Sequence, residues 1–103
     1  MHYKLIVTER AEELMDNLVY YLLNRIKNQQ AASHLLACVE KIYDRLEDNP
    51  YQFPLCRDNY LASKEYREAV LPGMNYVIIF RIDETEVYVL GVFHELEQYR
   101  NKM

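Results

Sequence analysis

Residues 66–100 read YREAVLPGMNYVIIFRIDETEVYVLGVFHELEQYR. This stretch carries the strongest structural signal in the chain. Two apolar, β-branched runs at residues 76–82 and 87–93 are joined by a short acidic loop at residues 83–85. Runs of this length and composition, separated by so short a loop, are typical of two paired strands. Because nearly every residue in them is apolar, we expect both strands to be covered on both faces or to be central in the sheet.

A cluster of titratable residues ends the second run: His94, Glu95, Glu97, Tyr99 and Arg100. If the two runs form a hairpin, this cluster lies at one edge of the sheet. Side chains held on rigid strands suit catalysis or recognition better than side chains on mobile loops. The sequence therefore points to this edge as the first candidate for a functional site.

The residues outside this segment form further elements that would cover the sheet. A short strand is predicted at residues 3–7, and Thr8 offers an N-cap for a helix to about residue 27. Its apolar stripe is Ala11, Leu14, Met15, Leu18, Leu22 and Ile26. A second stripe, Leu35, Val39, Ile42 and Leu46, with Leu36 and Tyr43 beside it, ends at Asn49-Pro50.

The two helices are joined by so short a break that we expect an antiparallel helical hairpin packed on the sheet. Residues 51–64 show no periodicity and are predicted to be irregular, and residues 66–71 form a further strand. The prediction is an α+β fold of order β-α-α-β-β-β, with the helical hairpin on a mostly antiparallel four-stranded sheet. The length of 103 residues fits a single domain, 1–103.

Composition excludes several classes of protein. Two glycines rule out a Gly-rich phosphate loop, and Cys38 and Cys56 lack metal-ligand spacing, so we expect no cofactor, no metal and no disulfide. No apolar run reaches about 18 residues, so a membrane span is not expected. The two unpatterned thiols favour a reduced, cytoplasmic protein. Sixteen acids against twelve bases give a net charge of −4, which argues against direct binding of free nucleic acid.

Local motifs add a resemblance to this fold. LEDNP at residues 46–50 closes the helical hairpin, and YREAVLPGMNYVIIFRID at residues 66–83 carries Arg67, Tyr76 and Arg81 ahead of a His94-to-Tyr99 spacing of five. In order, length and motifs the chain resembles the RelE/ParE superfamily, the bacterial toxins of type II toxin–antitoxin pairs. The resemblance implies roles in plasmid stabilisation and growth inhibition.

That superfamily has two activities, and both remain open from the residues alone. One branch cleaves ribosome-bound mRNA and the other binds DNA gyrase, so gyrase or the ribosome with its mRNA is the implied target. RelE-type nucleases carry a phosphate-binding Arg where this chain has Val77, and their basic loop is matched only by Lys64. Losing a cation at the reacting phosphate typically costs a factor of about 10² to 10³. The sequence therefore lies closer to the ParE-like branch.

If the chain is a nuclease, His94 is the candidate acid or base, with Arg81 or Arg67 on the phosphate and Tyr99 as a donor. Three of these residues have an ordinary structural alternative. His94 would be a satisfied residue at a strand end, and Tyr99 an amphipathic anchor. Arg81 would face the opposite surface and pair with an acid such as Glu86 or Glu68.

The remaining charged residues at the chain end, Glu95, Glu97, Arg100 and Lys102, are equally consistent with a solvated tail, and Glu95 or Glu97 with orienting His94. His2 and His34 are assigned to the surface. The resemblance implies a cognate antitoxin as partner. We expect its C-terminal segment to cover the helical hairpin or the sheet edge, where some of the ten tyrosines would supply aromatic anchors.

Overall fold

The structure of the chain, a computed structural model, describes residues 2–95 and 99. Its elements are β1 (Lys4–Val7), α1 (Glu9–Tyr20) continued by a π-helical turn (Tyr21–Arg25), α2 (Gln29–Asp48), a 3-10 turn (Pro50–Gln52), α3 (Asn59–Ser63), β2 (Arg67–Leu71), β3 (Tyr76–Asp83) and β4 (Glu86–His94). The predicted α+β class and the predicted order of strands and long helices are confirmed. Helix α3 is an addition to that order.

The four strands form one sheet in the order β1-β4-β3-β2. β1 runs parallel to β4, whereas the β4–β3 and β3–β2 pairs are antiparallel. In the β3–β4 hairpin Asp83 lies opposite Glu86, so the turn consists of Glu84 and Thr85 and the predicted loop at 83–85 is one residue too long. Glu84 adopts a left-handed backbone with φ 55°, a conformation that the hairpin turn imposes on it.

A β-bulge in β4 shifts its register with β3. Ile79 lies opposite Gly91 and Phe80 opposite Val89, which leaves Leu90 as the extra residue. A Cβ on Gly91 would stand 2.7 Å from two ring carbons of Phe93. The Phe93 ring therefore packs over Gly91, and only glycine leaves room for it.

The two long helices cover one face of this sheet. The Thr8 side chain accepts from the Ala11 N–H at 3.2 Å, as predicted for an N-cap, and its hydroxyl donates to the Val89 carbonyl at 2.8 Å. The first helix differs from its prediction at the end. The π-helical turn adds a residue to its last turn, so Ile26 is 50% exposed rather than part of the buried stripe. None of the helices within the described residues is long and apolar enough to span a membrane.

Each sheet face carries its own cluster of buried side chains. The cluster under α1 and α2, which we call the helix face, includes Leu35, Leu46, Ile78, Phe80 and Val87. The cluster on the opposite side, the open face, comprises Cys56, Leu61, Val77, Ile79, Phe93 and Tyr99.

The segment predicted to be irregular supplies part of the open-face cluster through α3. Asp58 caps this helix by accepting from the Leu61 N–H at 3.0 Å, and the Leu61 side chain is fully buried. The prediction of an irregular segment at residues 51–64 is therefore wrong at α3. One turn of helix is too short to produce a readable period.

Candidate functional site

His94 lies at the end of β4 on the helix face. It is opposite Tyr76, and the two rings meet edge to face with centroids 5.6 Å apart. Both rings line a cavity of about 270 Å³ together with Leu14, Leu18, Tyr21, Val92 and Phe93. Because the lining is mostly apolar, this cavity suits an apolar or aromatic group better than a phosphate.

Arg81 lies on the other side of the sheet from His94. It is five residues beyond Tyr76 in β3, so alternation turns its side chain to the open face, roughly 16 Å along the strand. Its guanidinium lies 4.1 Å from the centroid of the Tyr88 ring and 3.9 Å from an Asp83 carboxylate oxygen.

The expected acidic partners of Arg81, Glu86 and Glu68, are both engaged elsewhere. Glu86 accepts a hydrogen bond from the Tyr88 hydroxyl at 2.9 Å, and Glu68 is held by Arg57. The predicted choice of acid is therefore wrong, because Asp83 is the carboxylate within reach of Arg81. The prediction that Arg81 faces the opposite surface from the helices agrees with its position in β3.

Arg67 and Tyr99 occupy two further places. Arg67 lies opposite Phe80, donates to the Phe53 carbonyl at 2.6 Å and stacks on the Tyr51 ring. Tyr99 packs on Phe93 with the ring planes at 22° and is only 8% exposed, on the open face.

The four candidate catalytic residues thus do not converge on one point. Glu97, Arg100 and Lys102, the remaining charges of the terminal cluster, lie outside the described residues. The catalytic roles stay predictions.

The open face carries a buried charge that sequence reasoning did not single out. Glu68 is 2% exposed and accepts from both the backbone N–H of Arg57, at 2.8 Å, and its Nε, at 2.7 Å. Glu68 in turn raises the pKa of the Arg57 guanidinium. A second Arg57 nitrogen lies 3.9 Å from a Glu95 oxygen. This arrangement ties the loop before α3 to β2 and to the end of β4.

Burial also determines the chemistry of the neighbouring thiol and phenol. Desolvation, followed by the nearby Glu68 carboxylate, raises the pKa of Cys56 to about 12. The same two causes, in the same order, raise the pKa of Tyr99, while Arg57 opposes them. Both groups are therefore neutral near pH 7, and neither is an activated nucleophile or base there.

The two positions compared with nuclease motifs carry no phosphate-binding arrangement. Val77 is fully buried on the open face. The Lys64 ammonium lies over the rings of Tyr60, at 5.0 Å, and Tyr66, at 5.7 Å. The described residues also contain no group of three or more His, Cys, Asp or Glu side chains arranged to hold a metal.

A groove with a volume of about 540 Å³ lies between β1, α1 and α2. Its apolar lining consists of Val7, Met15, Leu36, Val39 and Tyr43, and its carboxylates are Glu12, Asp16 and Glu40. These lining residues include neither Lys nor Arg. We call this feature the acidic groove.

A sequence profile of the family described as "ParE toxin of type II toxin-antitoxin system, parDE" matches residues 5–99. The chain belongs to this ParE toxin family. It is thus the toxin component of a type II toxin–antitoxin system, as the motifs around Arg67, Arg81 and His94 imply. No curated protein matches the chain.

The fold of this ParE-family chain is similar to that of solved toxin–antitoxin structures. The chain is similar to a structure titled "Chromosomal ParDE TA system from P. aeruginosa", with a TM-score of 0.69 and 14% identity over 90% of this chain and 96% of that one. It is also similar to the RelBE2 toxin–antitoxin complex from Mycobacterium tuberculosis, with a TM-score of 0.61 and 26% identity over 91% of this chain and 99% of that one.

Two features of this ParE-family chain escaped sequence reasoning for identifiable reasons. The Arg57–Glu68 pair joins residues eleven apart across a loop, a spacing with no periodic signal. The acidic groove combines residues from three elements, which come together only in the folded chain. An acid followed directly by the apolar residues 69–71 of β2 was the one sign that Glu68 needs a buried partner.

Proposed function

We propose that this ParE-family toxin acts by binding a protein target, DNA gyrase by family resemblance, and that a cognate antitoxin neutralises it. The single observation that carries the proposal is the separation of the residues that RNA cleavage would require. His94 is on the helix face beside an apolar cavity, whereas Arg81 is on the open face. The other candidate cation, Arg67, lies opposite Phe80, roughly 13 Å along β3 from the residue that pairs with His94, and donates to the Phe53 carbonyl.

Cleavage of RNA through its own 2′-hydroxyl needs a base, a donor to the leaving oxygen and a cation at one phosphate. Each group must come within hydrogen-bonding distance, about 3 Å, of the reacting atoms. Arg81 and His94 are separated by roughly 16 Å along the strand and by the sheet itself. Recognition of a protein surface requires no such convergence.

The acidic groove supports the antitoxin part of the proposal. An apolar floor bordered by carboxylates complements an amphipathic helix with Lys or Arg beside its apolar stripe. Leu36, 45% exposed, lines the groove and offers such a helix an apolar contact. The antitoxin segment is therefore expected to be basic, opposite in sign to the net charge of −4 on the toxin.

A supercoiling and DNA-cleavage assay with purified gyrase tests the target. The full chain is expected to accumulate gyrase–DNA cleavage complexes, and expression in cells is expected to arrest growth with DNA damage and intact mRNA. Addition of the protein encoded beside the toxin gene should reverse both effects. Intact DNA together with cleavage of ribosome-bound message would exclude gyrase poisoning.

The likeness to the RelBE2 complex, at 26% identity, gives the mRNA endonuclease a place as second candidate. In that case His94→Ala abolishes toxicity in a folded protein, while the exposed His34→Ala is the matched control. Under the gyrase proposal mRNA stays intact whether the wild-type chain or His94→Ala is expressed. Harmless expression of the wild-type chain would instead indicate a non-toxic member that only binds its partner.

A further inference from the structure

The turn of the helical hairpin is cationic in an otherwise acidic protein. Residues 17–39 contain no Asp or Glu, although the whole chain has sixteen. Arg25 and Lys27 are exposed there, where the first helix ends and the chain reverses. The charge of the molecule is therefore divided between this end and the acidic groove.

The same turn exposes a group of large apolar side chains. Tyr20 is 64% exposed, Tyr21 47%, Leu23 42% and Ile26 50%. Single exposed apolar residues are ordinary on a protein surface, but four of them within seven residues, with two cations in the same turn, favour an interaction site. We call these four residues, with Arg25 and Lys27, the hairpin tip.

The backbone of the hairpin tip explains why the Ile26 side chain is exposed. The Ile26 N–H donates to the Tyr21 carbonyl at 3.1 Å, a π-helical bond that inserts one extra residue into the turn. Ile26 is thereby turned outward from the buried stripe that the sequence period predicts. Lys27 then reverses the chain with φ 56°, which is unfavourable for a residue with a Cβ. Such π-helical turns occur frequently at functional sites.

We propose that the hairpin tip is the surface through which the toxin binds its target, and that the target presents an acidic protein surface with apolar side chains. The proposal rests on the proposed function, in which the toxin acts on a protein. Tyrosine and arginine are enriched in protein interfaces, and the tip combines two tyrosines with one arginine. Two cations are fewer than the clusters of about four to eight that bind anionic membranes.

The cavity beside His94 extends this surface. Tyr21 belongs both to the hairpin tip and to the lining of that cavity, which also reaches Tyr76 at the start of β3. An apolar side chain of the target fits the cavity, while acidic groups beside it meet Arg25 and Lys27. The acidic groove has the opposite charge, so a basic antitoxin helix and an acidic target suit different surfaces.

Charge reversal of the tip separates these two surfaces experimentally. The double variant Arg25→Glu/Lys27→Glu is expected to weaken binding to purified gyrase by about tenfold to a hundredfold and to abolish growth arrest. Its affinity for the antitoxin is expected to change less than about twofold, since Arg25 and Lys27 do not line the acidic groove. Binding is measured by surface plasmon resonance at two salt concentrations.

The matched control is Arg10→Glu/Lys41→Glu, which reverses two exposed cations of α1 and α2 outside both surfaces and should behave as wild type. A second variant, Tyr20→Ser/Leu23→Ser, keeps the charge and removes apolar contacts, so it should also lose growth arrest. Thermal unfolding shows whether each variant is folded.

Full toxicity of both folded tip variants would overturn the proposal. If wild-type toxin does not bind gyrase but the tip variants still lose growth arrest, the tip is supported and the gyrase assignment fails. Tip-dependent binding to vesicles of phosphatidylglycerol, without binding to protein, would overturn the acidic protein partner in favour of a membrane.

Discussion

Arg57 stabilises the fold from a position that is largely in solvent. Its side chain is 62% exposed, yet it is the cation that compensates the buried carboxylate of Glu68. Exposed ion pairs usually contribute little, but removing one partner of a buried charge leaves that charge uncompensated. The contribution of Arg57 therefore depends on the burial of its partner rather than on its own.

Arg57→Ala is expected to lower the free energy of unfolding by roughly 1–3 kcal/mol, because Glu68 keeps only its backbone donor. Urea denaturation at pH 7 measures the change. Arg10→Ala, at an exposed position of α1, is the control and is expected to change stability by less than about 0.5 kcal/mol. Equal effects of the two substitutions would contradict this account.

The two thiols are expected to differ in reactivity. Both are free, but Cys38 is partly exposed beside His34, whereas Cys56 is buried with its pKa raised from 9.0 to about 12. A three-unit rise lowers the thiolate population near pH 8 about a thousandfold. A disulfide reagent should therefore modify one thiol in the native protein and both after unfolding. Rapid modification of two native thiols would show that Cys56 is accessible.

The raised pKa of Cys56 also predicts a loss of stability at alkaline pH. Its thiol stays protonated in the folded state while the unfolded chain ionises from pH 9.0, so its contribution is fully present below pH 9.0 and is lost up to about pH 12. The limiting slope is about 1.4 kcal/mol per pH unit. Cys56→Ala should flatten the profile of unfolding free energy between pH 9 and 11. An unchanged slope would contradict the assignment.

At the scale of elements, the β3–β4 hairpin closes through an unfavourable residue. Glu84 has φ 55°, whereas Thr85, its neighbour in the turn, does not have a left-handed backbone. Left-handed backbone costs a residue with a Cβ about 1–2 kcal/mol, and glycine avoids this at some cost in entropy.

Glu84→Gly is therefore expected to raise the free energy of unfolding by about 0.5–1 kcal/mol. Thr85→Gly, the matched control, is expected to lower it, because it adds flexibility without relieving strain. Thermal unfolding of both variants provides the comparison. A gain in Thr85→Gly equal to that in Glu84→Gly would indicate an effect unrelated to backbone conformation.

The acidic groove is formed by β1, α1 and α2 together, and substitutions on its two helices test its proposed role. Asp16→Lys/Glu40→Lys should weaken antitoxin binding about tenfold or more and reverse its salt dependence, because like charges then face each other. Glu13→Lys, exposed on α1 outside the groove, is the control for replacing an acid by lysine elsewhere on the same helix. Isothermal titration calorimetry provides the affinities. Unchanged binding would locate the antitoxin elsewhere.

Most elements could be predicted from the sequence because their signals are local and repeated. The strands around Ile78 and Val89 are apolar runs, and the long helices follow a stripe of three and four residues. Helix α3 could not be predicted, since five residues are too few for a period. Ile26 was misassigned because a π-helical turn changes the period at one position only.

The candidate site was predictable in part. The sequence places His94 at the end of a strand, and the structure adds that it faces Tyr76 and an apolar cavity. The sequence offers the opposite face for Arg81 only as one of two alternatives, because the face that His94 shares with Tyr76 depends on the register of β3 and β4. Surfaces formed by several elements, such as the acidic groove, have no single stretch of sequence that announces them.

At the scale of the whole molecule, charge is the organising feature. The net charge of −4 combines contributions from two different regions of the same two helices, the hairpin tip, which contains no acid, and the acidic groove. A single average would predict one kind of partner. Two regions of opposite charge instead fit two partners of opposite charge, as proposed for the target and the antitoxin.

The parallel pairing of β1 with β4 has a consequence for the making of the protein. Lys4 pairs with Glu86, 82 residues later, so the first strand has no neighbour until the last one has been synthesised. At about 5–20 residues per second, this interval is roughly 4–16 s of translation. During that time the nascent chain lacks the complete sheet. The ribosome thus releases a protein that folds late, and a chain cut short before Glu86 would never complete the toxin.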